Sequence, residues 1–503
     1  MQNAKLQFKV QNLRKKYPKF VYKSYSYKIS SNNLKIFFNF QIEPSVQFNP
    51  QITIENIDKS RIKRVGDKAL NNLIFHLGLM EIPSYWKTTC SPEIVIKAGS
   101  LNSEQIKWWK DLMMKGLGQF FFENKINFRK PNFLKIKTLL IRPNRAIAEF
   151  GRIHSKKILV PVGGGKDSAV TLELLKKAKK DIQCFSLNPT EAAKNIMRIG
   201  GCKKPIIVRR KIDKKLLELN RQGFLNGHTP FSAYLAFLSV LAAAIFGYKY
   251  VALSNERSSN EGNVKYSGEI INHQWSKSFD FEQKFRKYSK KYLAKDIEYF
   301  SFLRPLYEIQ IAKLFSKYRK YFSVFLSCNE AYKTASGTKK PTRKWCGNCP
   351  KCLFNFTILF PFVDEEKLIK IFGKNLFDNK DLLTTMLQLI EGEKFKPRMT
   401  TSTRSAKLSR QSRDVEAALR GKPFECVGTV KESLVALYLS WKKNRGRTSV
   451  RLPFLLSYFE DKILPKYSRL EKESKKIMNS WDKQNNLSKE LEKILKKEVS
   501  KKG

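Results

Sequence analysis

The sequence predicts an α/β protein built on a doubly wound, mainly parallel sheet, and three observations carry that expectation. From Ile153 onward, short apolar runs alternate with stretches of helical spacing, the order that parallel strands joined by crossover helices require. Three consecutive glycines, Gly163, Gly164 and Gly165, separate the apolar run Ile158–Val162 from the helical stretch Ala169–Lys180. Thr229–Phe246 is apolar almost throughout, as a helix buried on most sides must be. In such a sheet, ligands are expected beyond the carboxyl ends of the strands.

Residues 1–150 form a first, α+β unit. Val21–Ile29 and Leu34–Ile42 read as strands of a hairpin turning at Ser30-Ser31-Asn32-Asn33. Asp67–Leu79 has helical spacing and Ile94-Val95-Ile96 is a short strand. Ser103–Phe122 is a predicted helix with Ser103 as its N-cap. The unit carries no catalytic pattern, so its expected task is to recognise substrate or cover a site. Residues 151–392 form the second unit. Its predicted strands are Ile158–Val162, Ile182–Leu187, Pro205–Arg209, Tyr250–Leu253 and Phe322–Leu326. Helices are predicted at Thr190–Ile199, Thr229–Phe246, Asp280–Tyr292 and Tyr307–Lys317. Residues 393–422 read as a basic, flexible insertion. Residues 423–503 look helical, ending in a lysine-rich amphipathic stretch at Leu487–Lys502.

Hydrophobic residues make up 42% of the 503, which places the chain among globular proteins. Met1–Pro18 is basic and lacks the apolar core of a secretory signal, and Ala233–Phe246 is too short to span a bilayer. A cytoplasmic protein is expected, with its eight cysteines reduced or bound to metal rather than paired. The formal charge of +53 keeps nucleic acid among the possible partners. The lysines, however, are spread through every segment alongside abundant Phe, Tyr, Ile and Asn, as drift in an AT-rich genome would produce.

The glycine turn is the first candidate site. Bare glycine N–H groups and the positive end of the following helix suit an anion, with Ser168 adding a hydroxyl and Lys166 a charge. The alternative is an ordinary βα turn. Asp167 between Lys166 and Ser168 excludes the nucleotide P-loop pattern. The order resembles instead the PP-loop of the ATP pyrophosphatase superfamily, Ser-Gly-Gly-x-Asp-Ser, with Gly163 in place of the first serine. That resemblance implies a sheet of the adenine nucleotide alpha hydrolase type. It also implies a grip on the β,γ-pyrophosphate of ATP that leaves the α-phosphate open to attack.

Cys346, Cys349 and Cys352 follow a C-x2-C-x2-C spacing, and Cys328 is the natural fourth ligand of a tetrahedral structural site. Zinc suits four thiolates; an iron–sulfur cluster is the competitor.

A PP-loop with such a knuckle is similar to 7-cyano-7-deazaguanine synthase. Other stretches point elsewhere: Gly227-His228-Thr229-Pro230, Leu253–Ser258 continuing to Glu261-Gly262-Asn263, Asn272–Ser278, Phe300–Pro305 and Lys422–Gly428. In this order they resemble the ATP-dependent UDP-N-acetylmuramoyl-L-alanyl-L-glutamate epimerase family, MurL. The resemblance covers roughly residues 20–392 and resumes near 422; the basic segment and the high charge depart from the family pattern.

The resemblance implies a peptidoglycan-precursor enzyme that inverts the terminal L-Glu while ATP becomes AMP and pyrophosphate. Gly163, Gly164, Gly165, Lys166, Asp167 and Ser168 would hold the phosphates, and Leu187 and Asn188 would meet the adenosine. Asn255 and Glu256 would face substrate or metal, with Glu256 or Asp167 as the Mg²⁺ ligand. Arg257 and Arg304 would clamp carboxylates or diphosphate. His228 and His273 are the candidates for proton transfer, the alternative being that each caps a turn. A MurD-like L-Glu ligase is a natural functional partner. Two competing classes remain: a deazaguanine or tRNA-modifying enzyme, and a nucleotide-sensing protein that holds RNA on its basic tail.

Overall fold

The computed structural model describes residues 2–138, 155–332, 342–394, 421–446 and 451–500. Most of the basic segment 393–422 therefore lies outside the described residues. In chain order the strands are β1 (Lys19–Ser30), β2 (Asn33–Ile42), β3 (Val46–Phe48), β4 (Gln51–Ile54), β5 (Glu93–Ile96), β6 (Lys135–Thr138), β7 (Ile158–Pro161), β8 (Ile182–Leu187), β9 (Ile206–Lys211), β10 (Tyr250–Leu253), β11 (Val264–Tyr266), β12 (Glu269–Ile271) and β13 (Glu298–Ser301).

Among the described residues, eleven of these strands form one mixed, mostly parallel sheet. Its order is β13-β10-β7-β8-β9-β4-β2-β1-β5-β6, with β3 also beside β2. The hairpin β1–β2 turns where expected: Ser31 and Asn32 both take positive φ, and Ser30 pairs with Asn33. Along β2, Leu34, Ile36, Phe38, Phe40 and Ile42 are all buried, the alternation of a strand with one covered face. β4 pairs antiparallel with β9, so the sheet runs without a break from the first unit into the second.

β13, β10, β7, β8 and β9 are mutually parallel. Chain order reverses direction between β7 and β10. At such a switch point the loops leaving two neighbouring strands part in opposite directions and open a crevice. Both faces are covered. Leu159 joins the core under the helix Phe231–Phe246, whereas Ile158, Val160 and Val162 join the core under the helix Lys166–Lys177. Phe231–Phe246 is buried along most of its length and stops at Gly247, in the left-handed region.

Three local expectations need correction. Phe322–Leu326 is not a strand; it leaves a 3₁₀ turn, buries Phe325, and its Leu326 N–H donates to Gly164 O at 2.9 Å, bracing the glycine turn. Ser103–Phe122 divides at Leu117 into Ser103–Gly116 and Gly118–Glu123, and its N-cap is Asn102, which forms a capping box with Gln105. Cys184 and Cys202 are joined in a disulfide, where reduced or metal-bound thiols were expected. The C-terminal part is helical as expected, with Val430–Arg445, Leu470–Met478 and Lys489–Val499 as its longer helices. No helix among the described residues is long and apolar enough to cross a membrane.

Candidate active site

A cavity of about 400 Å³ opens at the switch point, within the size range of small-ligand sites. Its floor is the carboxyl ends of three strands: Pro161–Gly163 after β7, Ser186 and Leu187 at the end of β8, and Leu253–Glu256 after β10. Gly164 has φ +101°, and a Cβ there would stand 3.0 Å from both Ala192 Cβ and Ala193 N. Gly165 opens the helix Lys166–Lys177 without a side-chain cap, which leaves the first-turn amides to the cavity. Ser168 Oγ donates to Gly165 O at 3.0 Å.

Beneath the turn lies an acidic trio. Oxygens of Asp167, Glu256 and Glu308 lie within 4.8 Å of one another. The Lys166 ammonium is buried among them, 2.8 Å from Asp167 Oδ1 and bonded to Glu308. Burial pushes the Glu308 carboxyl up to about 7; Lys166 opposes the shift, and Asp167 and Glu256 add to it. Burial also raises Glu256, whose Oε1 is buried without a hydrogen-bond partner. Three oxygen donors, one of them orphaned, fit a hard divalent cation such as Mg²⁺.

The two histidines meet on the cavity wall with ring centroids 4.4 Å apart. His228 Nδ1 is buried with no partner. Burial holds its imidazole well below the ordinary value, helped by His273, Lys87 and Lys277. His273 Nδ1 faces Gln119 Oε1, and burial with Lys277, Lys351 and Lys422 nearby brings its pKa down to about 3. Both rings are therefore neutral bases near pH 7, and an anionic ligand would raise them again.

The other sequence candidates divide. Leu187 and Asn255 line the cavity, Asn255 donating to Ser301 Oγ at 3.1 Å. Asn188 turns away at positive φ and bonds to the backbone of Arg210 on β9. Arg257 lies outside the cavity lining, 3.3 Å from Asp482 and stacked on Tyr307. Arg304 is fully buried. Its nitrogens are taken by Glu282, the carbonyls of Glu256 and Lys277, and the hydroxyls of Ser259 and Ser301. It thus holds the Glu256–Lys277 wall together and presents no free donor to a ligand.

Sequence reasoning missed Glu308, Lys277, Lys351 and Cys426 as site residues. Lys277 and Cys426 lie inside the stretches Asn272–Ser278 and Lys422–Gly428, which gave the only available signal. Lys351 enters the cavity wall from the cysteine knuckle, and its N–H donates to Glu425 at 3.1 Å. In that knuckle the Cys328–Cys349 sulfurs are 3.9 Å apart, and Cys346–Cys352 and Cys349–Cys352 are both at 3.6 Å. A tetrahedral ion with four bonds of about 2.3 Å sets sulfurs ~3.8 Å apart, so the four thiols fit zinc. A cubane cluster would hold them much farther apart.

The family model of the MurL N-terminal domain matches residues 11–302, and that of the MurL C-terminal domain matches 324–401. A UDP-N-acetyl-alpha-D-muramoyl-L-alanyl-L-glutamate epimerase of Xanthomonas oryzae pv. oryzae is 33% identical over 383 residues, 75% of this chain and 77% of that protein. The chain belongs to the MurL family. A like-named MurL relative of Salinispora tropica is 32% identical over 370 residues, 72% of each chain. One of Micromonospora sp. is 31% identical over 366 residues, 72% of this chain and 73% of its own. The MurL N-terminal match takes in the glycine turn, both histidines, Glu256 and Lys277, and the C-terminal match takes in the four cysteines. Glu308 falls between the two MurL matches and Cys426 beyond them.

Proposed function

We propose that this chain is an ATP-dependent epimerase, of the PP-loop ATP pyrophosphatase type, that converts the terminal L-Glu of UDP-N-acetylmuramoyl-L-alanyl-L-glutamate to D-Glu for peptidoglycan precursor synthesis. The observation that carries the reading is the convergence on one cavity of the glycine turn, Asp167, Glu256 and the histidines, with Glu308 buried behind the two carboxylates. The printed names of the relatives supply the substrate.

The Cα–H of a glutamate is a very weak acid because its carbanion would stand beside a carboxylate. The α-carboxylate oxygen attacks the α-phosphorus of ATP, pyrophosphate leaves, and the mixed anhydride carries no such charge. The glycine amides and Ser168 hold the departing phosphates, and Leu187 packs against the nucleoside. Asp167, Glu256 and Glu308 would hold Mg²⁺, which when bound neutralises phosphate charge. The enolate formed on losing the Cα proton is stabilised by the half-buried Lys277 ammonium on the cavity wall. His228 and His273 are placed for proton transfer at Cα. Water then attacks the carbonyl carbon of the anhydride, breaking its C–O bond and releasing the carboxylate and an AMP that keeps the bridging oxygen, which makes the inversion effectively irreversible.

In this reading residues 1–150 recognise the muropeptide nucleotide or cover the cavity, 151–392 carry the chemistry, and 423–503 complete the wall. Cys328, Cys346, Cys349 and Cys352 would hold zinc, which when bound would brace the knuckle that carries Lys351 and, through it, Glu425. The enzyme works in the cytoplasm and draws its substrate from a MurD-like L-Glu ligase. Its test is chiral analysis of glutamate after incubation with ATP, Mg²⁺ and the L-Glu nucleotide, where D-Glu and AMP should appear together. AMP release with tRNA, or with a deazaguanine acid and ammonia, but not with the muropeptide nucleotide, would replace it with the competing reading.

A further inference from the structure

Inversion needs a proton taken from one side of Cα and another delivered to the opposite side. The two histidines do not supply two independent carriers, because both ring nitrogens of His273 are engaged. Gln119 Nε2 donates to Glu123 Oε1 at 2.7 Å, which turns its amide oxygen toward His273 Nδ1. An amide oxygen only accepts, so Nδ1 keeps the ring proton and Nε2 offers its lone pair. That lone pair faces Cys426 Sγ at 3.8 Å. Glu123, Gln119, His273 and Cys426 thus form one chain that ends in a thiol on the cavity wall.

The charges facing that thiol come from four elements. Lys277 approaches from the 3₁₀ turn Trp275–Lys277 and Lys351 from the knuckle helix Pro350–Leu359. Lys422 and Glu425 come from its own loop, and His273 comes from the loop after β12. Burial alone would raise the thiol, but Lys277, Lys351 and Lys422 outweigh it and hold Cys426 below the ordinary value. His228, whose Nδ1 has no partner, touches the same imidazole from another side.

We propose that Cys426 is a catalytic proton carrier of the epimerisation, with His273 as the hydrogen-bond acceptor that positions its thiol and His228 serving the other face of Cα. The proposal rests on the epimerase reading above. In one direction the thiolate takes the Cα proton, an S–H bond forms, and the C–H electron pair passes into the enolate of the activated glutamate. The imidazolium of His228 then returns a proton to the opposite face and becomes neutral, while His273 Nε2 accepts a hydrogen bond from the new S–H; after product leaves, solvent takes the sulfur-bound proton and reprotonates His228. For the other epimer the roles exchange.

The test uses the full chain with ATP and Mg²⁺ in D₂O, supplied with either the L-Glu or the D-Glu nucleotide. Deuterium at Cα, epimer composition and AMP release are followed together. Cys426→Ala is expected to lower inversion at least about 100-fold while washing deuterium into Cα from one epimer only. His228→Asn should show the mirror pattern, and the near-isosteric Cys426→Ser should repeat that of alanine because a serine hydroxyl is too weak an acid. Exchange from both epimers at the wild-type rate in the Cys426 variants would overturn the proposal. So would loss of exchange from both while AMP release persists, or a thioester mass on Cys426 in quenched wild-type enzyme. Wild-type enzyme that inverts glutamate without forming AMP would sink the adenylation reading and leave the one-sided exchange to judge Cys426.

Discussion

Substituting the three glycines one at a time by alanine should separate what the turn does for the fold from what it does for the ligand. Gly164 has φ +101°, a conformation costing an L side chain about 1–2 kcal/mol. Its added methyl would also meet Ala192 Cβ and Ala193 N at 3.0 Å, and the backbone atom cannot swing aside. Overpacking of that kind adds about 1–3 kcal/mol, for a total of about 2–5 kcal/mol. A Cβ on Gly163 would meet nothing within 4 Å, and one on Gly165 would make an ordinary 3.6 Å contact with Ser327 Cβ. Both of those variants should keep the wild-type stability to within about 0.5 kcal/mol. Gly163 lines the cavity, so its methyl occupies anion space, and ATP affinity should fall about tenfold, or 1.4 kcal/mol. Urea unfolding gives the first quantity and calorimetric ATP titration the second. Gly164→Ala as stable as Gly165→Ala, or Gly163→Ala binding ATP like wild type, would refute the reasoning.

Three further outcomes are expected. Lys166→Met strands the buried carboxylate of Glu308 and the half-buried one of Asp167; it should destabilise by about 3–5 kcal/mol in urea unfolding, and adding Glu308→Gln should recover part of that loss. Purified protein should carry one zinc per chain by metal analysis; Cys349→Ala should retain less than half an equivalent and lose inversion, because Lys351 and Cys426 stand on the wall the knuckle braces. Burial holds His76 at about 4 against an ordinary 6.5, opposed by its bond to Asn72. Its native value is depressed, so its contribution is complete above pH 6.5 and drains as pH falls toward 4, with a slope of up to 1.36 kcal/mol per pH unit. The stability gap between wild type and His76→Gln, measured in urea, should therefore shrink by about 2–3 kcal/mol between pH 7 and pH 4.5.

What was legible in the sequence was local. A buried strand, three glycines and an amphipathic helix state their geometry within twenty-odd residues, and so does a hairpin turned by Ser31 and Asn32. The cysteine spacing was legible for the same reason. What depended on distant partners was not. Arg304 in a motif-like stretch reads as a ligand clamp until Glu282 and two carbonyls are seen to consume its donors. Glu308 sits in a helix read from its apolar spacing, and nothing local says that Asp167 and Glu256 will stand beside it. Phe322–Leu326 has the composition of a buried strand but spends it on core packing and on holding Gly164. The pairing of β4 with β9 joins segments more than 150 residues apart and leaves no trace in either.

The central claim is that a glutamate carboxylate is capped with AMP before its Cα proton is lost. Substrate labelled with ¹⁸O in that α-carboxylate tests it most directly, with mass spectrometry of the nucleotide product. The account requires AMP carrying one ¹⁸O for each D-Glu formed. D-Glu accompanied by unlabelled AMP, by ADP, or by intact ATP would contradict it.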